Sequence, residues 1–361
     1  MTSALHVGGV LLPEAEHRDL WVVDGHITFE PVAGAETVAT SGWVVPGLVD
    51  AHCHIGLAPG GPVHDPAELH AQGRADATAG ALLVRDAGSP ADTRFLDGEA
   101  DVPRLVRCGR HIARPKRYMP HTALEIEPHE LADVVFGEAT GAGTAALGGA
   151  EPAGEARRWV KLVGDWIDRA EGDLRPCWPL EALTEAVGRA HAAGARVAVH
   201  TFSEEALPDL IAAGVDSIEH GTGLTEDTVA ALAASGSALV PTLVNLVNFP
   251  GIAESARAKF PVYAARMERY PGTAHARTRA AFEAGVPIYC GTDAGGMVPH
   301  GGVAEEILAL HTAGLPAEAA LAAGSWAART WLGYANLDEG APADFVVYDA
   351  DPRADLTVLR T

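Results

Sequence analysis

Two histidines stand two residues apart in the stretch Val44-Val45-Pro46-Gly47-Leu48-Val49-Asp50-Ala51-His52-Cys53-His54-Ile55. In an extended strand, side chains at i and i+2 share a face, so His52 and His54 point one way and Cys53 the other. Two neutral imidazoles converging behind an apolar strand can begin a metal site, although an isolated pair could equally be two loop histidines. Further donors close other apolar runs. Lys161 lies inside Trp159-Val160-Lys161-Leu162-Val163, His200 follows Val197-Ala198-Val199, His220 follows Ser217-Ile218-Glu219, and Asp293 follows Cys290-Gly291-Thr292. Each alone has a plain structural reading, since a buried histidine bonds a backbone carbonyl and an aspartate after a strand caps a helix. Together they fall where a single barrel mouth would gather them.

The lysine carries the sharpest chemical implication. Of 26 basic residues only Lys116, Lys161 and Lys259 are lysine. An ammonium in an apolar strand would repel metal ions, and a buried unpaired charge costs several kcal/mol or shifts its pKa. A carbamate made from the neutral amine and carbon dioxide would instead be an anion with two oxygens, able to bridge two cations. Arginine offers no equivalent.

The elements that must position these residues alternate. Apolar strand candidates are residues 44–52, 81–85, 105–108, 159–163, 197–200, 217–220, 238–243 and 288–293. Helix-compatible segments lie at 180–193, 204–213, 225–234 and 278–284. Eight strands with intervening helices point to a (β/α)8 TIM barrel, whose functional residues gather at the C-terminal strand ends. A doubly wound sheet is the alternative, but no GxGxxG follows the first strand. Short β-like pieces fill residues 1–43, with an Asp24-Gly25 hairpin signal, and the texture returns at the C-terminus. The expected organisation is therefore a small β-sandwich domain from 1–43 and 336–361, and a barrel domain over 44–335. Two long connections, 113–155 and 245–275, are expected to be loops that form the substrate pocket, and whether they act as lids stays open.

Composition bounds the rest. The 361 residues carry a formal net charge of −22, which argues against nucleic acid or anionic membrane as partners and for a small-molecule substrate. Four cysteines without a CxxC pair read as reduced thiols, and no signal peptide or membrane span is expected, so the expected location is cytoplasmic. A homo-oligomer stays open.

The chain resembles the amidohydrolase superfamily, in the branch of imidazolonepropionase-related proteins and metal-dependent Xaa-Pro dipeptidases (prolidase-like). The carrying motifs are the first-strand stretch above, Val84-Arg85-Asp86-Ala87-Gly88, Val160-Lys161, Val199-His200, Ile218-Glu219-His220-Gly221, Gly291-Thr292-Asp293-Ala294-Gly295 and the tail Gly340-Ala341-Pro342-Ala343-Asp344-Phe345-Val346-Val347. The resemblance implies a binuclear site holding two divalent metal ions. His52, His54 and Asp293 would hold one ion and His200 and His220 the other, bridged by N6-carboxylysine at Lys161 (a carbamylated lysine) and by hydroxide. It also implies Asp293 as proton shuttle and Lys161 as a catalytic position. Zinc suits such ligands best, with manganese, iron and cobalt open. Gly164-Asp165-Trp166, Gly223 and Arg117-Tyr118-Met119-Pro120-His121 depart from the usual pattern of that branch.

The expected activity is metal-dependent amide hydrolysis of a dipeptide or N-acyl amino acid. The alternative is ring opening of a cyclic amide or lactone, and a non-catalytic metal-stabilised barrel is a third reading. Arg117, Tyr118, His121, Arg266 and His300 are candidate substrate-binding residues by position alone.

Overall fold

The computed structural model describes residues 4–141 and 158–361. Strands Leu48–Cys53 and Trp159–Val163 are buried at every position, which explains their near-continuous apolar sequence: a parallel strand covered on both faces has no solvent side to make polar. Helices lie between the strands. Helix Pro66–Thr78 starts at Asp65, whose carboxylate accepts from Ala67 N, with proline in the first turn. Helix Leu180–Ala192 buries Leu183, Ala186, Val187 and Ala190, the i, i+3, i+4, i+7 stripe of a one-sided helix.

The parallel strands run in barrel order but not as one closed ladder. Arg104–Arg107, Ala81–Asp86 and Leu48–Cys53 form one stretch; Ala123–Glu125, His111–Ala113, Trp159–Val163, Arg196–Thr201, Ser217–His220 and Ala238–Val240 form the other. The expected third strand breaks after Arg107, where Gly109 takes φ +71°. Its first piece pairs with Ala81–Asp86, and the piece His111–Ala113 pairs with Trp159–Val163. The expected eighth strand makes only isolated bridges, Leu239 with Ile288 and Cys53 with Ala294. Backbone bonds from Ala51 N to Cys290 O and from Asp293 N to His52 O still tie it to the first strand.

Strands from both ends of the chain meet in one six-stranded sheet. Phe345–Tyr348 pairs antiparallel with Trp43–Pro46, which adjoins Leu5–Leu11, Glu16–Val23 and His26–Thr28 in turn, while Glu36–Ala39 also pairs with Leu5–Leu11. All four cysteines are buried and unpaired, and among the described residues no helix is long and apolar enough to cross a membrane.

The expected loop over 245–275 is helical. A 3₁₀ turn Leu243–Asn248 runs into helices Phe249–Ala256, Pro261–Arg269 and Pro271–Glu283. Each helix has proline in its first two positions, where the missing N–H removes no helical bond. The other long connection contains the short strand Ala123–Glu125 and helix Leu131–Thr140; its Gly/Ala-rich part beyond Gly141 lies outside the described residues. A hairpin, Asp165–Asp168 against Asp173–Pro176, was not expected from the sequence.

Candidate metal centre

The strand ends bring His52, His54 and Asp293 together. His52 Nε2 lies 3.2 Å from His54 Nε2, and Asp293 Oδ1 lies 3.1 Å from His54 Nε2 and 3.4 Å from His52 Nε2. The opposite ring nitrogens fix the tautomers. His52 Nδ1 donates to Glu219 Oε2 at 2.5 Å, and His54 Nδ1 donates to the Gly88 carbonyl at 2.8 Å. Each proton is therefore on Nδ1, so two bare nitrogens and a carboxylate oxygen face one another with no hydrogen between the nitrogens. Lone pairs converging in this way fit a cation.

Beside this trio lie His200 and His220. His200 Nδ1 is 3.0 Å from His220 Nε2, and His220 Nδ1 is 2.8 Å from Thr242 Oγ1. The His52 and His220 rings are 4.9 Å apart, so the two groups adjoin. Among the described residues, Lys161, 1% exposed, and His200 Nε2 have no hydrogen-bond partner. Burial pushes the imidazoles of His52, His200 and His220 well below their ordinary range, leaving the neutral form that ligates metals. Burial also lowers the Lys161 amine, against the raising pull of Glu219. A buried amine without a partner, beside a His200 nitrogen that also lacks one among the described residues, fits an added anionic group and cations better than it fits an empty core.

Supporting groups hold the donors. Glu219 Oε1 accepts from Arg85 Nη2 at 2.7 Å and from Ser217 Oγ at 2.5 Å. The Arg85 guanidinium is fully buried, 4.4 Å from the Trp159 ring and 4.9 Å from Trp331. A carboxylate on the far nitrogen of a ligating histidine fixes ring orientation and raises basicity. Asp50 accepts from His52 N and Thr292 N, locking the first strand to the turn that carries Asp293. Asp293 and His220 both adopt left-handed backbone, φ +60° and +65°, strain of the kind that clusters at functional sites.

Sequence reasoning missed Asn245, whose Nδ2 donates to Asp293 Oδ2 at 2.5 Å while its own Oδ1 accepts from Asn248 Nδ2. Its signal was hidden by the reading of 245–275 as loop. It also missed His111, which sits against the His54 ring at 5.1 Å.

Of the five substrate candidates, only Tyr118 packs at this centre, with its ring 5.6 Å from His200 and 4.8 Å from Trp166. Arg117 is taken up by Asp168 and by the carbonyls of Trp166 and Arg175. Arg266 is taken up by Asp173, Glu204 and Glu205, and His300 by Asp76 at 2.8 Å. His121 is exposed. The guanidiniums expected to greet a substrate carboxylate are held by the protein's own carboxylates, several of them in the unanticipated hairpin.

The Amidohydrolase family model matches residues 121–360. The chain belongs to the amidohydrolase family and is a hydrolytic enzyme acting on carbon–nitrogen bonds. Uncharacterized proteins of Mycobacterium tuberculosis strain H37Rv and of Mycobacterium bovis are each 51% identical over 359 residues, covering 99% of this chain and 92% of theirs. Among solved structures, a Xaa-Pro dipeptidase with bound methionine superposes with TM-score 0.76 at 22% identity, covering 100% of this chain and 97% of that one. A prolidase complexed with N-methylphosphonate-L-proline gives 0.77 at 21%, covering 99% and 96%. A. niger ochratoxinase gives 0.74 at 17%, covering 100% and 92%. At these identities the likeness establishes the fold.

Proposed function

We propose that the chain is a binuclear metal-dependent hydrolase that cleaves an amide bond of a small substrate, a dipeptide or N-acyl amino acid. The carrying observation is the convergence of His52 Nε2, His54 Nε2 and Asp293 Oδ1 beside the unpartnered Lys161 amine. In this reading His52, His54 and Asp293 would hold one divalent ion, His200 and His220 a second, and Lys161 as N6-carboxylysine would serve both. Zinc is the expected metal. Carbamylation joins the amine nitrogen to the carbon of carbon dioxide and releases one proton to solvent. The neutral amine that burial favours is the form that reacts. The site belongs to a barrel domain over 44–335, with 1–43 and 336–361 as the accessory domain of a cytoplasmic enzyme.

When bound, two divalent ions supply Lewis acidity that makes hydroxide available near neutral pH and polarises the scissile carbonyl. The protein's residues supply the rest. Glu219 and the Gly88 carbonyl keep His52 and His54 in the ligating tautomer. Asp293 takes the attacking water's proton on Oδ2, the oxygen turned to Asn245, and delivers it to the leaving amine. Asn245 holds that oxygen in place while leaving its second lone pair open.

One observation favours ring opening of a cyclic amide or lactone as a second reading: Arg117 and Arg266 are already paired, and a ring substrate needs no cation for a free carboxylate. A hydrolysis screen of zinc-replete enzyme on dipeptides, N-acyl amino acids, cyclic amides and lactones separates the two. Cleavage of acyclic amides supports the first. Elemental analysis should find about two divalent ions per chain; one ion at full occupancy would remove the bridging role of Lys161.

A further inference from the structure

His111 is fully buried, and among the described residues neither of its ring nitrogens has a hydrogen-bond partner. A buried imidazole without any partner is rare, because the desolvated N–H and lone pair each cost free energy unless something meets them. Its position is specific. Ile112 pairs with Leu162 in the parallel ladder, which sets His111 beside Lys161 one step earlier, on the same inward face. Lys161 and His200 Nε2 are buried nearby, and among the described residues neither the Lys161 amine nor that nitrogen has a partner. On its other flank, Lys161 pairs with Ala198, which has no polar side-chain atom to offer.

The surroundings make room for this imidazole. Gly88 has φ +125°, and a Cβ there would come within 2.7 Å of His111 Cε1 and 2.8 Å of Nδ1. Tyr118 covers the ring on another side, 4.7 Å between centroids. The packing thus admits a histidine and gives it nothing to bond.

We propose that His111 is a positioning residue for the modified lysine, its ring N–H donating to an oxygen of the Lys161 carbamate. This rests on the carbamate reading above. A carbamate has two oxygens with two lone pairs each, and bridging two metal ions would leave lone pairs free to accept. One remaining lone pair on the strand-three side is what His111 would meet, so two orphaned groups satisfy each other only once carbon dioxide has been added. The hydrogen bond is charge-assisted, holds the carbamate plane, and slows its loss.

The test compares wild type with His111→Leu, which removes the donor, and His111→Asn, which keeps an N–H. Metal-loaded protein is incubated with ¹³C-bicarbonate, and the carbamate carbon is followed by ¹³C NMR as bicarbonate is titrated. His111→Leu should require on the order of tenfold more bicarbonate for half-maximal signal, as expected for one lost charge-assisted bond, and His111→Asn should recover much of that loss. Equal bicarbonate dependence in wild type and His111→Leu overturns the role of His111 while leaving the carbamate intact. No carbamate signal in wild type at any bicarbonate concentration overturns the carbamate reading and this one with it. If His111→Leu does not fold, ¹⁵N-histidine spectra of wild type decide, with the His111 signals assigned by their absence in His111→Asn. A His111 ring N–H that moves on carbon dioxide loading supports the bond, and one that stays put overturns it.

Discussion

The two halves of the centre are built differently. In the half made by His52, His54 and Asp293, every donor is braced from behind, by Glu219, the Gly88 carbonyl and Asn245 respectively. In the half around Lys161, His200 and His111, the Lys161 amine, His200 Nε2 and both His111 nitrogens are without partners among the described residues. His220 there is braced by Thr242, and His200 Nδ1 meets His220 Nε2. The first half offers a candidate cation site with its donors complete in protein groups. The second is short of an anion, which is what a carboxylated Lys161 would supply.

The largest effect that tests this asymmetry is at Lys161. Lys161→Ala should lower activity by on the order of a thousandfold, the several kcal/mol expected of lost Lewis-acid stabilisation. It should also weaken metal binding in the second half more than in the first. Acetate or propionate at high concentration should restore part of the activity by placing two oxygens in the vacated space. Lys161→Arg should not respond, because its fixed cation fills the space and repels the ions. An active Lys161→Arg enzyme with two metals bound would overturn the reading.

Asp293→Asn comes next. The amide keeps a ligating oxygen but cannot carry the proton, so kcat should drop on the order of a hundredfold to a thousandfold while most metal remains. Near-normal turnover by steady-state assay would mean another residue moves the proton. Glu219→Gln sharpens the contrast on the braced side. It removes the charge behind His52 and should weaken metal affinity about 10–100-fold, measured by competition with a chromophoric chelator. Activity at saturating zinc should fall much less. Unchanged affinity would mean that the Arg85–Glu219 pair serves packing rather than the ligand.

The same asymmetry explains what the sequence could show. His52, His54, Lys161, His200, His220 and Asp293 were legible because strand alternation and strand ends fix where such residues point, whatever the helices do. The braces were not. Glu219 meets His52 across 167 positions of sequence, and nothing local marks Arg85 as its counter-ion. Asn245 was hidden by three prolines that start helices. His111 was hidden because the third strand breaks at Gly109 and resumes as a second piece that faces Trp159–Val163. Arg117 and Arg266 looked available because their carboxylates come from a hairpin and a helix start that only tertiary packing brings near.

The smallest effect concerns protons on the unbraced side. Burial holds the folded-state pKa of His200 well below its ordinary range, whereas in the unfolded chain it should titrate near about 6.5. Between those two values the unfolded chain binds the extra proton and the native chain does not. Stability of the metal-free protein should therefore fall as pH drops below about 6.5, by up to about 1.4 kcal/mol per pH unit for this one group. Buried carboxyls oppose the trend. Burial, with Asp76 beside it, raises Asp50 to about 7, a contribution present at low pH and lost as pH climbs toward that value. Comparing wild type with His200→Gln cancels the carboxyl term, since both proteins share it. Urea unfolding of the two metal-free proteins at pH 7.5 and pH 5.5 should show a shallower loss in His200→Gln, by roughly the proton that His200 no longer takes up on unfolding. Equal losses would mean that His200 is already protonated in the folded protein, and an imidazolium there could not serve as a ligand.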